Sequence, residues 1–135
     1  MNDVVAEWLH PVEWGKVREF ARALHDPGGE VEPPVPPPTF LVVLNASFIE
    51  RMIVDILKLD RARTVHGEQE YEYLRPLAPG DVVRCRARIA SDAVKQGKRG
   101  GQMRIVVSEI EMSDAATGEI IGHERSTAIE TAGAS

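Results

Sequence analysis

The stretch TVHGEQEYEYLRPLAPGD, residues 64–81, carries a strand alternation that runs straight into a forced turn. Val65, Gly67, Gln69, Tyr71 and Tyr73 fall on one face, and His66, Glu68, Glu70 and Glu72 on the other, the period-two pattern of a half-buried strand. Pro76, Pro79 and Gly80 then turn the chain. Proline fixes φ and removes a donor, glycine tolerates positive φ, and Asp81 is placed to hydrogen-bond nearby backbone as the next strand begins.

Upstream, residues 5–11 read as a short strand and residues 12–25 as an amphipathic helix with Trp14, Val17, Ala21 and Leu24 on one stripe. Pro27, Gly28 and Gly29 stop it. Residues 27–38 hold six prolines and two glycines, which predicts an extended loop of polyproline character. Thr39 is then the expected N-cap of a long helix, its hydroxyl reaching a free backbone N–H one turn in. The run FLVVL, residues 40–44, is apolar all round, as suits a helix wrapped on most sides by sheet. Beyond Asn45 the pattern becomes one-sided. Phe48, Ile49, Met52, Ile53, Ile56 and Leu57 face a core, and Glu50, Arg51, Asp55 and Lys58 face water.

Four strands are expected after this helix, at about residues 64–74, 81–93, 102–113 and 119–130. A flexible turn over residues 96–101 and a turn over 114–119, with Gly118 at a left-handed position, separate the last three. At 135 residues a single domain is expected over 1–135, with a frayed tail at 131–135. A net charge of −5 argues against a nucleic-acid partner. The single Cys85 alternates with Val83, Ala87 and Ile89, so it reads as a buried strand position and fits a reducing compartment. MNDVVAEWLH, residues 1–10, lacks the basic and apolar regions of a signal peptide, and no apolar run reaches membrane-spanning length. The expectation is a cytoplasmic protein without a membrane span. Four scattered histidines and one cysteine show no metal-ligand spacing, so no metal is expected.

The run Gln69-x-Tyr71-x-Tyr73-x-Arg75-Pro76-Leu77-x-x-Gly80-Asp81 resembles the MaoC-like and FAS1-like dehydratases of the hot-dog superfamily. HPVEWGKVREFARALHDP, residues 10–27, is similar to that family's entry strand and first helix, and PPPTF, residues 36–40, to the opening of its central helix. The resemblance implies an α+β fold: one hot-dog domain in which a curved antiparallel sheet wraps a long central helix. It also implies that the strand after the helix lies beside the last strand. A plain hairpin would instead place Glu68, Glu70 and Glu72 against Arg84, Arg86 and Arg88. We follow the resemblance and read these charges as solvated outer faces or a subunit contact.

Enzymes of the family add or remove water across C2 and C3 of an acyl thioester, with an Asp and a His from one loop and a backbone amide at the start of the central helix. The resemblance places Asp26 at the Asp position, while Gly28 and Gly29 replace Asn-Pro and Val31 stands where the His belongs. Losing a positioned general base costs about 10²- to 10⁴-fold in rate. The resemblance therefore implies a subunit with a degenerate dyad, forming a (3R)-hydroxyacyl-thioester dehydratase or enoyl hydratase with a catalytic hot-dog homologue. Two alternatives stay open: a self-sufficient homodimeric hydratase using Asp26 and His25, and a non-enzymatic acyl-thioester module. Candidate substrate-binding residues are Thr39 and Phe40 at the helix start, Arg75 at the turn and His66 on the strand before it. Lys95, Lys98 and Arg99 are weaker candidates for phosphate contact. No separate cofactor is expected, since CoA or phosphopantetheine arrives as part of the substrate. An open strand edge makes a homodimer or heterodimer the expected state.

Overall fold

The computed structural model describes residues 3–98 and 100–133. Strand β1 (Val4–Pro11) and helix α1 (Trp14–Ala23) lead into a one-turn 3-10 helix, Pro27–Glu30, and the proline-rich segment. A second 3-10 turn, Pro38–Phe40, opens the central helix α2 (Leu41–Arg51), which continues as a π-helical turn, Met52–Ile56. Strands β2 (Thr64–Tyr73), β3 (Val82–Gln96), β4 (Gln102–Asp114) and β5 (Ile120–Glu130) follow.

All five strands join one antiparallel sheet in the order β1-β3-β4-β5-β2. The Pro-Gly turn thus carries the chain across the sheet, from β2 at one edge to β3, as the crossover reading requires. The charges confirm the register. Glu72 lies opposite His123, which lies opposite Glu111, then Arg86, then Glu7, so each acid in this row faces a histidine or an arginine. The acidic face of β2 therefore pairs with β5, and the arginines of β3 with β1 and β4. The outer face carries these charges as expected, and they are also matched strand to strand.

On the inner face, Leu41, Leu44, Phe48 and Met52 of the helical segment pack against Val83, Cys85, Ala87, Val106, Ile110, Met112 and Ile121. Burying each large apolar side chain contributes about 1.5–3 kcal/mol, so this face dominates the core. Trp8 stacks on Phe48 at 4.9 Å between centroids, and its Nε1–H donates to the Leu44 carbonyl at 2.9 Å. Phe20 meets Phe40 edge-on at 5.5 Å and fixes α1 to the start of α2. Cys85 is buried as expected, and desolvation pushes its thiol up to about 12.

Four local expectations are corrected. Trp14, the first residue of α1, and Leu24 are exposed; Leu24 lies beyond the helix, which ends at Ala23 before His25 turns the chain with a φ of 57°. Val17 and Ala21 alone of that stripe are buried. Thr39 is not an N-cap: Pro38, whose fixed φ suits a first helical position, starts the turn early and puts Thr39 inside it, with no side-chain cap bond. The helical segment is not wrapped on most sides, since the sheet covers one face and leaves Val42 near its start and Val54 in the π-helical turn exposed.

The fourth correction concerns phase. A β-bulge between His66 and Glu68 moves the alternation by one residue, so His66 stands opposite Ala128 while Gln69 stands opposite Ser126. Directly opposed residues share a face, so His66 joins Gln69, Tyr71 and Tyr73 on the inner side instead of Glu68, Glu70 and Glu72 on the outer. At the C-terminus Thr131 is tied by its N–H to the Arg63 carbonyl at 2.8 Å; Ala134 and Ser135 lie outside the described residues.

Candidate functional site

The loop after α1 holds Asp26 by local bonds. Its Oδ1 accepts the Gly28 N–H at 2.8 Å, which caps the 3-10 turn, and its backbone N–H donates to the Ala21 carbonyl at 2.9 Å. His25, in a left-handed conformation, is exposed, and Val31 is exposed two residues beyond Gly29. His25 and Asp26 share a shallow surface concavity with Arg22, Pro27 and Glu30. His66 lines a different cavity, so the structure does not bring the candidate histidines together.

At the start of α2, Phe40 is fully buried and its N–H donates to the Pro37 carbonyl at 2.9 Å, while Thr39 is exposed. Beside it runs a largely apolar groove of about 420 Å³, lined by Val35, Pro36, Pro38, Tyr73, Leu74 and Arg75 among others. The Tyr73 hydroxyl donates to the Pro38 carbonyl at 2.5 Å, joining the end of β2 to the start of the helix. Desolvation pushes this phenol up to about 12, so it remains a donor through the physiological range.

Arg75 flanks the groove with its guanidinium turned to acids. It donates to Asp81 at 2.8 Å, Asp114 at 3.0 Å and Glu119 at 3.0 Å, and Asp81 in turn accepts the Ala78 N–H at 2.9 Å. Hydrogen bonding to Asp81 raises the Arg75 pKa. Arg75 therefore fastens the crossover turn to the β4–β5 turn. Of the three basic candidates on the β3–β4 hairpin, Lys95 and Lys98 are described and Arg99 lies outside the described residues.

A second cavity, of about 280 Å³, opens farther along α2 between Ile49, Met52 and Ile53 on the helical side and His66, Gln69 and Ser126 on the sheet side. His66 Nε2 lies 3.0 Å from the Glu68 carbonyl and 3.3 Å from Ser126 Oγ. Behind Gln69 is a buried carboxylate absent from the sequence reading. Glu124 is 2% exposed; its Oε1 accepts from Gln69 Nε2 at 2.7 Å and its Oε2 from Asn45 Nδ2. Burial raises the Glu124 pKa, against the two amide hydrogen bonds that lower it. Two sequence signals mark the pair. Glu124 keeps phase with Gly122, Ser126 and Ala128 on the inner face, and Asn45 interrupts the buried stripe Leu41, Leu44, Phe48. Among the described residues, no three His, Cys, Asp or Glu side chains are grouped to hold a metal ion. No helix there is long and apolar enough to cross a membrane.

A helix packed on one face of a five-stranded antiparallel sheet, with the post-helix strand beside the last, defines the hot-dog class. Residues 3–123 match the family model described as FAS1-like, dehydratase domain region, and the chain belongs to that family. It is 37% identical over 107 residues to a UPF0336 protein of Thermobifida fusca, covering 70% of this chain and 68% of that one. A UPF0336 protein of Cutibacterium acnes is 32% identical over 115 residues, covering 83% and 77%. Among solved structures, the HadBC (3R-hydroxyacyl-ACP dehydratase) complex of Mycobacterium tuberculosis superposes with a TM-score of 0.72 at 22% identity, covering 92% of this chain and 94% of that one. The ChsH1-ChsH2 complex of the same organism gives 0.70 at 17%, covering 97% and 85%. At these identities the structural likeness is one of fold.

Proposed function

We propose that this chain is one subunit of a heteromeric (3R)-hydroxyacyl-thioester dehydratase or enoyl hydratase, in which a hot-dog homologue supplies the Asp and His. The reaction adds a hydroxyl at C3 and a proton at C2 of an enoyl thioester, or reverses this. It needs one group to handle the water and one to move the proton. The observation that carries the reading is the Asp26 loop. Its carboxylate caps Gly28, Val31 stands exposed at the family's His position, and the segment from Pro27 to Pro38 contains no base except Glu30 and Glu32, with Glu30 paired to Arg22 at 2.8 Å.

What this chain brings is the largely apolar groove beside the start of α2, where the Tyr73–Pro38 bond joins β2 to the helix, and the second cavity between the helical segment and β2. Strand β2 ends the sheet with a free edge, and Val65 on it, like Val42 and Val54 on the helical segment, is exposed. A hot-dog partner pairing along β2 covers both, and the similarity to heteromeric complexes supports that arrangement.

The test is co-expression with a homologue that carries the complete Asp-to-His loop, native mass measurement, and hydration of crotonyl-CoA and longer enoyl-CoAs. A one-to-one complex that turns over thioesters, with neither chain doing so alone, is the expected result. Turnover by this chain alone at ordinary enzyme rates, lost on Asp26→Ala, overturns the reading.

A further inference from the structure

The second cavity is apolar on its helical wall and mixed on its sheet wall, where Thr64, His66, Gln69 and Ser126 stand with Val65 and Ala128, and Gln69 is held in place from behind. Gln69 lines the cavity and gives its amide N–H to Glu124, which leaves Gln69 Oε1 as an acceptor turned away from the carboxylate. Asn45 is fully buried, gives its own N–H to the other carboxylate oxygen, and has an Oδ1 with no hydrogen-bond partner. It precedes Ile49, a residue of the cavity wall, by four residues and so lies on the same helical stripe, one turn away from that wall. A buried carboxylate needs donors, and Glu124 takes one from each amide; both amides must then present oxygen elsewhere.

We propose that this cavity receives the far part of an acyl chain that bears a hydroxyl, which donates to Gln69 Oε1, with Glu124 as the positioning residue that orients the Gln69 amide. A cavity offering an acceptor opposite an apolar wall rejects a plain alkyl chain less by size than by leaving a polar group unpaired. The distance fits a medium-length chain: from Thr39 to Ile49 the helix rises about 15 Å. The assignment to an acyl thioester rests on the function proposed above; the preference for a hydroxyl rests on the Gln69 side-chain oxygen alone.

The experiment is calorimetric titration of the full chain, alone and in its complex, with decanoyl-CoA and with decanoyl-CoAs hydroxylated at successive positions along the chain. At least one hydroxylated isomer binds about five- to tenfold tighter than decanoyl-CoA, the worth of one neutral hydrogen bond. Gln69→Met, of similar length but without the acceptor, removes that ratio. Glu124→Gln, with its fold checked by circular dichroism, reduces the ratio, which a purely structural role of Glu124 would leave intact. Equal affinity for all isomers, or a preference that survives Gln69→Met, overturns the proposal. If no isomer is preferred while the complex still hydrates enoyl-CoA, the pocket assignment alone fails. If the preference is present but the complex is inactive, the dehydratase reading alone fails.

Discussion

The Asn45 side-chain amide, on the central helix, donates to the Glu124 carboxylate, on the last strand, across 79 residues of sequence. With Gln69 as the second donor, this bond ties α2 to both β5 and β2 from inside the core. An isolated buried carboxylate is strongly disfavoured, and two amide donors offset much of that cost. A hydrophobic pair of the same volume would hold the helix to the sheet at least as well. The polar arrangement is what the recognition role proposed above requires.

The pH dependence of stability should carry the mark of Glu124. Burial raises its folded pKa above the ordinary carboxylate range, so the folded state holds this proton more tightly than the unfolded chain. The resulting stabilisation is fully present below the unfolded value and is lost as pH rises through the folded one. Urea unfolding across that window should therefore show wild type losing stability relative to Glu124→Gln as pH rises, then levelling off. A wild-type minus variant difference that stays flat with pH contradicts the raised pKa.

Gly122 sets how closely β2 approaches β5. A Cβ there would meet the Glu72 carbonyl oxygen at 2.2 Å, which no backbone tolerates without moving. Gly122→Ala should cost about 1–3 kcal/mol in urea unfolding. Gly15→Ala in α1, with nothing within 4 Å of the added carbon, should be neutral or stabilising by up to about 1 kcal/mol. Equal effects at the two sites would mean that the β2–β5 seam yields easily.

Arg75 spans three carboxylates from two turns with a planar fork that lysine does not reproduce. Its side chain and those of Asp81 and Asp114 are mostly buried, whereas Glu119 is largely exposed and contributes little. Arg75→Lys should lower stability by about 1–2 kcal/mol, and Arg75→Ala by more. Unchanged denaturation midpoints for both would show that the crossover turn holds without the cluster.

Asp26→Ala removes the cap on Gly28 and should cost about 1 kcal/mol of stability. In the heteromeric enzyme the same substitution should change turnover less than about threefold, well short of the 10²- to 10⁴-fold loss expected for a general base. His25→Ala should be neutral in both assays, since its exposed side chain sits at the end of α1 away from the α2–β2 seam. A hundredfold fall in turnover from either change would place catalysis in this chain.

Much was legible because it rests on short-range chemistry. The alternation ahead of Pro76, the Pro-Gly turn, the proline loop ahead of α2 and the burial of Cys85 follow from periodicity and from residues that restrict φ. Helix ends were less legible: Pro38 starts its turn one residue before Thr39, and the left-handed His25 ends α1 before Leu24 reaches the core. Those outcomes depend on which packing partner lies above the last turn.

The element order and the apolar stripe of the central helix were determined by the sequence alone, through spacing and backbone restriction, while the crossover was legible only through the family resemblance. Only the tertiary structure decided which side His66 faces and that Asn45 meets Glu124. The reason is register. A strand repeats every two residues, so the one-residue bulge at Gly67 reverses the face of everything before it, and the lone glycine within the strand is its one local signal. The buried carboxylate likewise exists only because helix and sheet close over residues far apart in the chain, where desolvation and two amide donors act on it together.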